Sequence, residues 1–300
     1  MVKRIALKLL LLFLLTGVPY LCIKSYYVLQ YDINYYKATG KANHLILGLS
    51  RAKRGLSPEV FKQELDLEGK MTNFAFNNLQ SPFGPKYYQA IKRKVVKSEK
   101  NGVFIISVTP GSIMELVNDD YSLSLREDGF FYYNLWFQNS NPNLEYILKS
   151  PIREGSLFQF LRSKYKVILG LEASNWPEFM HEDGWGELDV SKRPSRLKPL
   201  IIQRTFKPSF RRERFLRKTI LFLQQHGTVI LVRLPVGKDY QEYEKVMYPE
   251  FTEKIHRIAQ DYQLTYLDYF GELSDLLFHD GHHLFGDGAR KVSQAIAETL

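Results

Sequence analysis

Residues 103–108 read Val-Phe-Ile-Ile-Ser-Val, and this run limits the fold more than any other feature of the chain. A half-buried strand alternates apolar with polar residues. A strand that is apolar almost throughout needs cover on both faces, as in the parallel sheets of α/β proteins. Residues 44–48 and 71–76 read as further short strands, 229–234 as a strand ended by Pro235, and 265–268 as a last one. Helical patterns lie between them. Ser57 is an N-cap with Pro58 at the first helical position, and that helix runs to about Leu67. Others span 85–100, 210–225 (closed by Gly227), 240–263 and 288–300. Strand and helix alternate at both ends of the chain. This predicts an α/β fold, a parallel sheet with helices on both faces and sites at the carboxyl ends of its strands.

Between 111 and about 210 the pattern weakens, with helices expected only near 144–148 and 157–165. We read this stretch as an insertion covering one edge of the sheet. Its middle, 172–199, carries Trp176, Asp183, Trp185 and Glu187; irregular segments of this length serve as lids or binding loops, or as padding.

The chain opens differently. Ile5 to Ile23 is 19 residues of mostly apolar sequence, roughly 28 Å as a helix and enough to cross a hydrocarbon core. Lys8 lies close enough to one end to snorkel. A retained anchor and a cleaved signal peptide both fit such a segment. The sequence Gly17-Val-Pro-Tyr-Leu has no A-x-A-like cleavage site, and Leu21 before Cys22 is too large for a lipoprotein signal. We therefore expect an anchor over 1–24, a Tyr-rich stalk over 25–42 and one α/β domain over 43–300. Lys3 and Arg4 face Lys24, Lys37 and Lys41 across the run, a slight charge bias, and the domain is expected outside the membrane.

Composition excludes some classes. With 45% hydrophobic residues the chain can build a full core, so a disordered class is excluded. Cys22 is the one cysteine, which rules out an intrachain disulfide and zinc sites of the CxxC type. The net charge of +9 clusters at 51–54, 92–100 and 204–218. Such clusters form solvated helix faces or attract anionic lipid or acidic polymer. No nucleic-acid-binding motif accompanies them, so no nucleic-acid partner is expected.

Two short segments carry chemistry. Ser50 stands just past Gly48 at the end of the first strand, where a hydroxyl can project into the ligand crevice of an α/β sheet, or simply make a turn or N-cap. The second is Phe278-His279-Asp280-Gly281-His282-His283-Leu284, ahead of the last helix. An Asp three residues before a His can fold back and orient the imidazole, as a Ser–His pair requires. A metal site on His279, His282 and His283 and a solvated loop are the other readings, and the spacing matches no common zinc template.

Taken together, Gly48-Leu49-Ser50 after the first strand and Asp280-x-x-His283 before the last helix resemble the SGNH/GDSL hydrolase superfamily. The run Asp280-Gly-His-His-Leu-Phe-Gly-Asp-Gly-Ala is similar to the ending of its membrane-anchored envelope branch. That branch includes the D-alanyl transfer proteins of teichoic acid synthesis and alginate-type O-acetylation proteins. Leu49 stands where the family has Asp, and no Gly-x-Asn-Asp block follows the third strand. Asn77, Asn78 and the N–H of Gly111 are the candidates for binding an oxyanion in its place.

The resemblance implies an esterase or O-acyltransferase of cell-envelope polymers, needing no metal and no cofactor. Ser50 would be the nucleophile, His283 the general base and Asp280 its orienting carboxylate. The implied partners are membrane lipid through the N-terminal helix, an envelope polysaccharide and a membrane-bound acyltransferase. The implied location is a single-pass membrane protein with its domain extracytoplasmic. The missing block leaves open a catalytically silent domain that binds glycan or the acyltransferase.

Overall fold

A computed structural model describes residues 2–31, 35, 37, 39–76, 83–97, 100–116, 141–149, 161, 162, 165, 169, 206–273, 278 and 280–300. The elements begin with α1 (Val2–Leu12), a π-helical turn (Phe13–Gly17), α2 (Val18–Tyr31), β1 (His44–Leu47), α3 (Ser50–Gly55) and α4 (Pro58–Glu64). Then come β2 (Met71–Asn73), α5 (Pro85–Lys94), β3 (Gly102–Ser107), α6 (Pro110–Ile113), β4 (Met114–Leu116) and α7 (Leu144–Lys149). The last are β5 (Phe206–Pro208), α8 (Phe210–Gln224), β6 (Gly227–Arg233), α9 (Lys238–Met247), α10 (Phe251–Asp261), β7 (Thr265–Asp268) and α11 (Gly286–Ala297). The chain divides into two compact units, Met1–Gly40 with Tyr133–Met180, and Lys41–Tyr132 with His181–Leu300.

The larger unit is an α/β fold on a five-stranded parallel sheet, in the order β2-β1-β3-β6-β7. The apolar run that predicted a doubly covered strand is β3, central in that order and paired with β6 from Gly102↔Gly227 to Ser107↔Val232. Ile46, Ile105, Ile230 and Val232 meet Ala52, Leu56, Phe61, Val292 and Ile296 in one core, which seats α3, α4 and α11 on the sheet. The alternate residues Leu45, Leu47, Phe104, Ile106 and Leu231 are equally buried, and α8 packs on β6 and α5. Burying each such side chain contributes about 1.5–3 kcal/mol. Ser57 caps α4 as its sequence suggests, accepting from the Val60 N–H at 3.4 Å. Its own N–H donates to Ser293 Oγ at 2.9 Å and ties α4 to α11.

Three local outcomes differ from the sequence pattern. The expected helix 240–263 is two helices, α9 and α10, parted at Tyr248-Pro249-Glu250. Pro249 has no N–H to donate and disfavours helical backbone at Tyr248. Ser50, read as a crevice hydroxyl or a turn or N-cap residue, is the first residue of a short helix, α3. The two ends of the inserted stretch zip together as an antiparallel pair, Met114↔Pro208 to Leu116↔Phe206. Its middle, 172–199, lies outside the described residues.

In the smaller unit, the helical run Val2–Leu29 is long and apolar enough to cross a membrane by length and composition, and its apolar window is wholly exposed. The stretch read as a stalk begins as helix, since α2 continues to Tyr31. Against α2, the residues Val28, Tyr35, Tyr146 and Ile147 form a small core that docks α7.

Candidate active site

The strand order reverses direction at β1: β2 lies on one side and β3 on the other. In an open parallel sheet the ligand crevice opens outside the carboxyl ends of the strands at such a switch. Two exit loops border it here, Gly48-Leu49-Ser50 after β1 and Thr109-Pro110-Gly111 after β3. They are close neighbours, because a Cβ on Gly111 would lie 4.0 Å from Leu49 Cδ1. Gly48 makes the first loop feasible. Its φ is +148°, and a Cβ there would sit 2.8 Å from Ala52 Cβ and 3.0 Å from Ser107 Cβ. The chain turns at once into α3, whose first residue is Ser50, half-buried. Asn73 at the end of β2 holds the other end of α3. Its Nδ2 donates to the carbonyls of Ala52 and Leu56 at 3.0 Å each, and its Oδ1 accepts from the Ala75 N–H at 3.1 Å.

The histidine loop is closed by a bridge between Phe278 and Leu284. It is pinned to the exit of β6, where the Gly237 N–H donates to the Gly281 carbonyl at 2.9 Å. Gly281 adopts φ +87°, which folds Asp280 back over the loop. Asp280 Oδ1 accepts the N–H of His283 at 3.0 Å and of His282 at 3.3 Å, while Oδ2 lies 2.8 Å from His283 Nδ1. Burial alone would raise the Asp280 pKa, but the His283 ring and N–H outweigh it and hold the carboxyl below the usual carboxylate range. An ionised carboxylate only accepts, so His283 Nδ1 is the donor to Asp280, and Nε2 is the ring nitrogen left for a reacting hydroxyl. This is the orientation a general base needs.

Asp280, His282 and His283 also bring three donor atoms within 4.8 Å of one another, close enough for a metal ion. The 2.8 Å between Asp280 Oδ2 and His283 Nδ1 is a hydrogen-bond distance, however. Donors on a tetrahedral zinc at about 2.0–2.1 Å would stand further apart. As arranged, the pair shares a proton.

Sequence reasoning missed the second half of the cluster. Arg51, next to Ser50, lays its guanidinium 5.3 Å over the Tyr240 ring. The Tyr240 ring lies 4.3 Å from that of His282, which lies 4.0 Å from that of His283. This chain of contacts connects the start of α3 with the histidine loop. Arg51 Nη2 pairs with Glu244 Oε1 at 2.6 Å, and Glu244 Oε2 with Arg233 Nη2 at 3.0 Å. Arg233 also donates to Thr252 Oγ1 at 2.9 Å and stacks on Phe270 at 3.4 Å. Burial, then the Arg51 charge, pushes the His282 pKa down to about 3, so its ring is neutral near pH 7. Burial, assisted by Asp280 and Glu244 against Arg51, pushes Tyr240 up to about 12. Only the adjacency of Arg51 to the candidate nucleophile hinted at this; Glu244 is one acidic residue among several on α9.

Among the expected site residues, Asp280 and His283 are joined directly. Ser50 opens α3 at the same end of the sheet. Gly111 borders the Ser50 loop, and its carbonyl accepts from Arg212 Nη1 at 3.3 Å. Asn77, Asn78 and His279 lie outside the described residues. No protein-family model matches the chain, and no curated protein matches it significantly.

Proposed function

We propose that the chain is a membrane-anchored serine esterase or O-acyltransferase of the SGNH type, acting on cell-envelope polymers through an acyl-enzyme on Ser50. The observation that carries this reading is the 2.8 Å contact of Asp280 Oδ2 with His283 Nδ1, on a loop at the sheet end where β1 delivers Ser50. In the proposed reaction His283 Nε2 takes the Ser50 hydroxyl proton as Oγ attacks the acyl carbonyl carbon. The oxyanion collapses, and His283 returns the proton to the departing alcohol. Water or a sugar hydroxyl then repeats the sequence in reverse and releases Ser50; water gives hydrolysis, a sugar gives transfer. Gly111 is the described candidate for an oxyanion donor, since its N–H lies in the first turn of α6, where amides have no partner within the helix. In this reading Val2–Leu29 is a retained anchor and the larger unit is extracytoplasmic.

The test uses the full chain in detergent with a fluorophosphonate probe, comparing wild type with Ser50→Ala. Labelling and ester turnover that both depend on Ser50 are expected. Absence of both would overturn the catalytic reading. The missing Gly-x-Asn-Asp block after the third strand favours a second reading, a catalytically silent domain that binds envelope glycan or a membrane acyltransferase. It predicts binding that survives Ser50→Ala without any turnover.

A further inference from the structure

The helix α7 is held at one end by the anchor helix and at the other by Tyr35, four residues past the end of α2. Lys24, the first charge after the apolar run, is 6% exposed, and its Nζ donates to the Leu148 carbonyl at 3.0 Å. That carbonyl is one of the last four of α7, which have no partner within the helix. At the other end Asn143 Oδ1 accepts the Tyr146 N–H at 3.0 Å. The Tyr35 hydroxyl accepts from the Asn143 N–H and donates to Asn141 Oδ1, both at 2.9 Å. Tyr146 and Ile147 are buried against Val28 and Tyr35. One side of α7 is therefore committed to the anchor.

Its other side is apolar as well. Leu144 and Leu148, four apart and so on one stripe, are 62% and 60% exposed. In the same unit Leu161, Tyr165 and Leu169, also spaced by four, are 42%, 63% and 50% exposed. Position relative to the anchor says what covers α7. The 28 residues of Val2–Leu29 make about 42 Å of helix against about 30 Å of hydrocarbon, so part of the helix stands clear of the core. With Ile5 to Ile23 in hydrocarbon, Lys24 is at the boundary. Tyr20 and Tyr26, 50% and 52% exposed, flank that level as interfacial aromatics do. Leu148 is one lysine side chain away from it.

We propose that α7 lies in the membrane interface, with Leu144 and Leu148 inserted at the boundary between lipid headgroups and acyl chains. The inference rests on Val2–Leu29 being a retained anchor. The anchor and α7 then form one wedge that fixes the height of this unit at the bilayer, a role apart from any catalysis.

The single cysteine makes the test direct. Full-length protein in phosphatidylethanolamine/phosphatidylglycerol nanodiscs carries a nitroxide at Cys22, or at Leu144→Cys or Leu148→Cys in a Cys22→Ser background. A label at Leu221→Cys, on an exposed α8 residue, serves as the water reference. Oxygen and a water-soluble nickel chelate report depth. The Cys22 label, about 3 Å of helix from Lys24, is expected just inside the boundary, and those at 144 and 148 about 5–10 Å below the headgroups, all shielded from nickel and open to oxygen. Nickel access at 144 and 148 equal to that at 221, with Cys22 in lipid, overturns the inference and leaves the anchor intact. Shielding from both reagents means that protein covers α7, and also overturns it. A Cys22 label in water overturns both readings. The replaced leucines are exposed, so folding is not the variable.

Discussion

Arg51 and Glu244 meet at 2.6 Å with side chains 10% and 2% exposed, and Glu244 is shared with the equally buried Arg233. One carboxylate thus compensates two guanidinium charges beneath the candidate site. Removing it takes the carboxylate from Arg51 and leaves Arg233 the more distant Asp268, 3.9 Å away; breaking a buried pair in this way typically costs about 3–5 kcal/mol. Glu244→Gln should therefore lower the urea midpoint sharply. Arg51→Met leaves Glu244 paired with Arg233 and should cost about 1–2 kcal/mol. Equal losses from the two variants would show that Glu244 serves one arginine only.

The Asp280–His283 contact makes a kinetic prediction. An amide at position 280 would present N–H groups to Nδ1 and drive the ring proton to Nε2, the atom that must accept from Ser50. Asp280→Asn is expected to cut kcat for an activated ester by roughly 10³–10⁴ with little change in KM, and His283→Ala by a similar factor. An unchanged kcat for Asp280→Asn, alongside Ser50-dependent turnover, would remove Asp280 from the mechanism.

Much of this arrangement was legible in the chain, for reasons that differ by residue. β3 announced itself because a strand covered on both faces must be apolar almost throughout. The Asp280–His283 pairing is local: three residues and a glycine with positive φ suffice to close it. Arg51, Tyr240 and Glu244 were not legible as a group. Their meeting depends on how the α9 segment crosses the exit of β1, and long-range packing leaves no periodic mark. The break at Pro249 was readable from its missing N–H, but the apolar spacing on either side suggested one helix. Asn73 shows the opposite failure, since its buried amide is spent on the carbonyls of α3 and nothing in the strand pattern demands it.

Acid stability follows from His282. Its pKa is near 6.5 when the chain is unfolded and about 3 in the fold, so between those values the unfolded chain binds more protons. Stability from this group is complete above about pH 6.5 and is lost as the pH falls towards 3. Asp280, held below the usual carboxylate range by His283, adds a loss in the same direction at lower pH. Urea midpoints should fall from pH 7 to pH 4, and His282→Gln should flatten the upper part of that slope. A slope unaltered by His282→Gln would assign acid sensitivity elsewhere.

Gly48 offers a test of how the site is built, because its role is geometric. An alanine there carries two penalties. Its φ of +148° is unfavourable for any side chain, and its Cβ would stand 2.8 Å from Ala52 Cβ, inside the first turn after Ser50. Gly40 supplies the control, with φ +71° and nothing within 4 Å of the place a Cβ would take, so Gly40→Ala carries the backbone penalty alone, about 1 kcal/mol. Gly48→Ala should cost more, roughly 2–4 kcal/mol, since neither Ala52 nor Ser107 can move without shifting α3 or β3. Part of that cost should appear as displacement of Ser50. Fluorophosphonate labelling is therefore expected to fall in the folded fraction of Gly48→Ala and to stay at the wild-type rate in Gly40→Ala. Equal destabilisation by the two alanines would mean that the loop after β1 has room to relax, and that Ser50 owes its position to α3 rather than to the turn before it.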